Sequence, residues 1–231
     1  MTPTVQNRTP FFQAALTIFV KDLRSELRSR ELVSAMGLFA FLSVMAFSFA
    51  LELEPIILQN AAGGILWVTI IFAVILGLNR SLAAEREQGS MDAMLLAPID
   101  RSAIFAGKML ANFLFGLVIG LILLPIASVL YNVSLIELRI VGLIAAGTLG
   151  LSSVGTLLSA MTAQTRTRDT LLPIVMLPTT LPILMLVVSA TNGIVAAQPL
   201  ELWQSMVPVL LGLDLIYLTM CVLLFPFVLE E

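Results

Sequence analysis

One carboxylate, Asp214, stands in the apolar run LLGLDLIYL, where a membrane-spanning helix would carry it into the bilayer. An acid at that depth is costly and marks an intramembrane polar site by default. It can stay protonated, or share a hydrogen bond with Tyr217 three residues on; it also lies near enough to its helix end to snorkel outward. Other reactive side chains are scarce. Histidine is absent, and the one cysteine, Cys221, sits in an apolar run. Disulfide frameworks, zinc sites and Cys/His catalytic pairs are thereby excluded. Gly107-Lys108 lacks the preceding glycine and following hydroxyl of a phosphate-binding loop, and no H-E-x-x-H or G-x-S-x-G occurs. Met or Cys221 alone would make an unusual haem-ligand set, so no directly bound cofactor is expected. No enzyme can be drawn from these residues.

A charged, turn-broken island, EREQGSMDAMLLAPIDRSAIFAGK, runs from Glu85 to Lys108. Gly89 breaks the helix that enters it, and Ser90 is a good N-cap. Met91 through Leu96 then make a short helix, ended by Pro98, and Asp100 caps the helix that follows. Met91, Met94 and Leu95, with Leu96 beside them, give that short helix an apolar face, and Glu85, Glu87 and Asp92 ring it with acids. A solvated helix has little reason to be so apolar. It lies on the membrane surface or inserts into a groove on a partner, and methionine suits a groove that changes shape.

The elements that position these residues follow from hydropathy. The 231 residues are 59% apolar and 12% charged, against about 25% charged in soluble domains. At about 20 residues per crossing, six spans are expected, near 32–53, 62–80, 109–131, 140–163, 171–191 and 206–228. The first apolar run is too long for a cleaved signal and reads as a retained anchor. Eleven of the twelve basic residues fall before the first span or in the loops after the second and fourth; only Arg139 lies in the alternate set. The positive-inside rule makes that side cytoplasmic, with both termini there and no extracytoplasmic domain. The fold class is therefore all-α: a six-helix integral membrane protein with one transmembrane domain over 1–231 and a cytoplasmic loop over 81–108. Ahead of the first span, Phe12, Leu16, Phe19, Leu23 and Leu27 recur at helical spacing among charges, predicting an amphipathic interfacial helix over 11–31.

Pro173, Pro178 and Pro182 crowd the fifth span, either shaping its packing or making a hinge along the inner face of the bundle. Gly116 and Gly120, then Ala146, Gly150, Ser153 and Gly155, suit close helix contact within the subunit. Besides Asn112 and Asp214, spans two to six carry little polar lining.

The run from Glu85 to Lys108 resembles the E-x-E-x-G-[ST]-L-[DE]-x-L-L-x-[AS]-P motif of ABC-2-type membrane subunits, with Met91 where leucine is usual. KDLRSELRSRE ahead of the first span, Gly64-Ile65-Leu66-Trp67 and LPIVMLPTTLPIL make the chain similar, over nearly its whole length, to the haem exporter protein B family, CcmB. That resemblance implies a bacterial inner-membrane permease subunit in cytochrome c maturation, driven by an ATPase subunit, CcmA, that binds ATP. It implies the partners CcmC, CcmD and the haem chaperone CcmE, with haem held on a partner protein. In this reading Glu85, Glu87, Gly89, Met91, Asp92, Met94, Leu95, Leu96 and Pro98 form the ATPase-coupling element. Two ATPase copies imply two permease copies; nucleic acid has no place in it. The alternatives are an ABC-2-type permease for a lipid, polysaccharide or drug, and a non-transporting membrane scaffold.

Overall fold

The computed structural model describes residues 10–50, 55–87, 98–162 and 168–228. Among these the regular structure is all helical: α1 (Phe11–Ser29), α2 (Glu31–Ala50), α3 (Pro55–Glu87), α4 (Arg101–Tyr131), α5 (Leu138–Thr162), α6 (Arg168–Val195), α7 (Leu200–Gln204) and α8 (Met206–Val228). Six stretches are long and apolar enough to cross a membrane: Glu31–Ala50, Asn60–Ser81, Arg101–Tyr131, Leu138–Thr162, Thr170–Val195 and Leu200–Val228. They match the six expected spans, with two differences. The third helix starts at Arg101 rather than near 109, and the short α7 precedes the sixth.

Length sets the shape of one end. With 33 and 31 residues, α3 and α4 are about 50 and 46 Å long, against a hydrocarbon core of about 30 Å. Both can therefore extend well past the apolar layer. The short helix expected over Met91–Leu96, with Gly89, lies outside the described residues. Glu85 and Glu87 fall in the last turns of α3, and Pro98 sits in an exposed bend before α4.

Small residues decide the packing. α5 lies against α3, α4, α6 and α8, and it can do so because glycines line its contacts. A Cβ on Gly147 would collide with the ring of Trp67 on α3, and one on Gly155 with Leu78. On α4, a Cβ at Gly120 would meet Ile144 at 2.6 Å, and one at Gly116 would meet Val74 at 3.1 Å. The GxxxG pair is thus spent inside the subunit, where lipid-solvated helices gain stability from close backbone approach. The core so formed is filled: Trp67, Leu66, Ile70, Ile144, Leu151, Ile183 and Val187 are all fully buried.

α1 departs from the expected pattern. The face it packs on the bundle is Ala14, Ala15, Ile18 and Glu26, while Phe12, Leu16 and Leu27 stay exposed and only Phe19 and Leu23 pack partly against the core. Alanines permit the closer approach, so they face α4. The exposed apolar residues are left for lipid, as an interfacial helix requires.

Candidate functional site

Asp214 is only 2% exposed, and neither carboxylate oxygen has a hydrogen-bond partner among the described residues. It sits on α8 directly over Gly150 of α5, where a Cβ would run into its Oδ1; Ile183 of α6 closes the third side, 2.7 Å from that Cβ position. Of the alternatives open to it, the bond to Tyr217 is not made. Tyr217 Oη instead donates to the carbonyl of Thr179 on α6, at 2.9 Å.

α6 runs unbroken through Pro173, Pro178 and Pro182. Pro178 and Pro182 are exposed and Pro173 is half-buried, so these rings do not line the inner face of the bundle. Met176, Thr180 and Ile183 do, all fully buried.

The bundle is also more polar inside than expected. Thr148, Ser152 and Thr156 recur every four residues along α5 and are buried, with Ser153 and Ser159 nearby. Most donate back to their own helix: Thr148 Oγ1 to the Ile144 carbonyl, Ser153 Oγ to Leu149, Ser159 Oγ to Thr156. Asn112 Nδ2 donates across to Thr156 Oγ1 at 2.9 Å. Self-bonded hydroxyls disappear into an apolar average, which hid them in the sequence.

The end of the bundle that carries Arg80, Arg101 and Lys108 is tied together at several points. Asp100 Oδ1 accepts from the Ser102 amide at 2.9 Å, capping α4 as expected. Arg101 Nη1 donates to the Pro226 carbonyl, joining the start of α4 to the end of α8. α1 crosses α4 at Gly107, where a Cβ would stand 2.6 Å from the Ala15 carbonyl oxygen. Lys108 is buried beside that crossing, within the electrostatic reach of Asp22 and Lys21 on α1. At the α1–α2 corner, Arg30 turns left-handed (φ 55°) and Glu26 accepts from the amides of Val33 (2.8 Å) and Leu32 (3.3 Å). Glu31 pairs with Arg80 of α3 at 2.7 Å.

Sequence reasoning gave Glu26 and Gly107 no structural role of this kind, and marked Gly150 for close helix contact without its partner Asp214. A glutamate followed by a second helix start was the available signal for Glu26; Gly107 gave none beyond its type. Among the described residues no group of three or more His, Cys, Asp or Glu could hold a metal.

The CcmB protein family model matches residues 13–230. The chain is 30% identical over 190 residues to the heme exporter protein B of Rhodobacter capsulatus, covering 79% of this chain and 86% of that one. It is 28% identical over 161 residues to the protein of that name from Pseudomonas aeruginosa (69% and 71%), and 26% over 177 residues to that from Bradyrhizobium diazoefficiens (76% and 79%). The match spans all six membrane-crossing helices, and on that ground the chain belongs to the CcmB family.

Proposed function

We propose that this chain is the membrane subunit of an ATP-driven complex in cytochrome c maturation. It couples hydrolysis on a separate ATPase to haem delivery, or to release of the haem-loaded chaperone, at the outer face of the bacterial inner membrane. The family match carries this reading. In it, both termini and the long ends of α3 and α4 are cytoplasmic, following the basic residues. The segment Met91–Leu96, with Glu85, Glu87, Gly89, Asp92 and Pro98, is the handle by which the ATPase pulls the two longest helices. The acids orient that contact more than they tighten it. ATP is bound by a CcmA-like ATPase and haem by CcmC- and CcmE-like partners, with a CcmD-like small protein and two copies of this chain in the complex.

Haem is cargo in this scheme, held elsewhere. The filled core around Trp67, Ile70, Leu151 and Ile183 supports transmission of force within the subunit over a path through it. Pro173, Pro178 and Pro182 are the places where α6 can flex during that motion.

Deleting the gene and staining membranes for covalently haem-bearing c-type cytochromes tests the reading, with Leu95→Asp beside the deletion. Cytochromes should be lost in both strains, and the ATPase should no longer co-purify with the Leu95→Asp chain. Intact cytochromes in the deletion, with no paralogue, would leave an ABC-2-type permease with another cargo.

A further inference from the structure

At the end of the bundle opposite Arg80, Arg101 and Lys108 lies a half-open cleft of about 340 Å³. It is lined by Asn60 of α3, Asn132, Val133 and Ser134 of the α4–α5 loop, and Asn192, Val195, Ala196 and Gln198 from the end of α6 and the turn after it. Four of the eight are carboxamides and one is a hydroxyl, gathered from three separate stretches of chain. The described lining residues carry no charge and no aromatic ring.

Both lips are fixed. Asn132 caps α4 in the left-handed region (φ 51°). Ser128 Oγ donates to the Val133 carbonyl at 2.7 Å and accepts from the Leu135 amide at 2.8 Å. Across the cleft, Ala197 is also left-handed (φ 50°), and the Gln198 amide donates to the Gly193 carbonyl at 3.0 Å. Asn192 is seated against Gly63, whose missing side chain gives it room; its Oδ1 is buried there without a partner among the described residues, so this side chain shapes the cleft wall and offers that oxygen to no ligand. Binding here would require little ordering of the protein, which removes one of the main costs of association.

The lining chooses among ligands. Among the described lining residues, a carboxylate, phosphate or cation would find no opposite charge to replace its hydration. A flat conjugated ring would find no aromatic surface among them. A carboxamide presents one acceptor oxygen and two donor hydrogens, which matches the alternating N–H and C=O groups of an extended main chain. Val133, Val195 and Ala196 add a small apolar floor for one side chain. The volume lies at the low end of the range for ligand pockets, about 300–1,000 Å³, so it admits a few residues and not a domain.

We propose that this cleft binds a short extended peptide segment of a protein on the outer side of the membrane, through main-chain hydrogen bonds to Asn60, Asn132 and Gln198. The assignment rests on the orientation given under Proposed function and not on the identity of the cargo.

The test uses the full chain in its native membrane, with Cys221→Ala as background and single cysteines at Ser134→Cys or Ala196→Cys, lining positions that make none of the proposed hydrogen bonds. A membrane-impermeant maleimide should label both from outside intact cells, and absence of that labelling would overturn the orientation and the proposal together. A benzophenone maleimide on the same cysteines is then irradiated. The expected result is a discrete polypeptide adduct whose cross-link maps to a loop or tail of an extracytoplasmic region, while Val209→Cys on the lipid-facing side of α8 gives lipid adducts. Asn60→Trp, which fills the cleft, and Asn60→Ala, which only removes a carboxamide, should each lower the adduct yield at least fivefold at equal chain level. Normal outside labelling with only lipid adducts, or with adducts indifferent to both Asn60 variants, would overturn the peptide assignment and leave the coupling reading standing.

Discussion

The ring of Trp67 occupies the space that a side chain on Gly147 would need, its Cζ3 only 2.6 Å from the position of a Cβ there. The same indole donates from Nε1 to Thr191 Oγ1 at 2.9 Å, and Thr191 in turn donates to the Val187 carbonyl. One side chain thus ties α3 to both α5 and α6 at a fully buried point. In an apolar solvent the hydrophobic effect cannot hold helices together, so fit and interhelical hydrogen bonds must.

That relationship predicts a coupled pair. Gly147→Ala alone overpacks the junction and should cost about 1–3 kcal/mol. Trp67→Phe removes the ring atoms that collide, along with a hydrogen bond worth about 0.6–2 kcal/mol in a membrane. The double variant should therefore be less destabilised than the sum of the singles, by about 1 kcal/mol or more. Denaturation midpoints in detergent micelles read all three; simple additivity would mean that the ring does not rest on Gly147.

The α1–α2 corner gives a second prediction. Glu26 occupies the place of a helix cap, accepting from two first-turn amides of α2 from a position six and seven residues upstream. Glu26→Ala should cost about 1 kcal/mol and loosen α1. Glu26→Gln keeps an acceptor and should cost less. Limited proteolysis within α1, faster in the order Ala, Gln, wild type, checks this. Arg30→Gly should be neutral or stabilising at its left-handed position, and Arg30→Val clearly destabilising.

A third prediction concerns Asp214. Its carboxyl group is buried against Gly150 and Ile183 with no hydrogen-bond partner among the described residues, so an amide of the same shape forfeits no bond. Asp214→Asn should keep or raise the thermal midpoint, whereas Gly150→Ala should lower it by driving a methyl into Asp214. If Asp214→Asn nevertheless abolishes c-type cytochromes at a normal chain level, the carboxyl group serves the working cycle and not the fold.

What the sequence disclosed depended on how far each interaction reaches. The six crossings were legible because hydropathy sums over about 20 residues, and the Asp100 cap because its acceptor lies two residues from its donor. Which of the alternatives open to Asp214 holds was not legible, for the opposite reason. Spacing of three residues offers Tyr217 as its neighbour, but the tyrosine side chain turns to the Thr179 carbonyl on another helix, 38 residues away. Gly107 and Gly147 were visible as glycines only, and Gly150 as a small residue suited to close helix contact. Their roles belong to the partners pressed on them, Ala15, Trp67 and Asp214, and no local pattern names a partner on a different helix. The peptide-sized cleft was invisible likewise, since Asn60, Asn132 and Gln198 are unremarkable singly and meet only in the folded bundle.

The last prediction joins the fold to the proposed mechanism. α1 rests on α4 through backbone: a Cβ at Gly107 would stand 2.6 Å from the Ala15 carbonyl oxygen and 2.8 Å from Ile18 Cβ. Backbone cannot swing aside as a side-chain tip can, so any side chain at this position must lift α1 off the bundle. The remaining helices do not use this contact and should keep their packing. Gly107→Val is therefore expected to leave the chain inserted and at near-normal level, to expose α1 to protease, and to cut c-type cytochromes at least tenfold. Cutting α1 loose at the end of the bundle where the ATPase is proposed to pull would leave α4 free to move without carrying α1. Protease-sensitive α1 with normal cytochromes would show that α1 is an anchor in the membrane surface and takes no part in coupling.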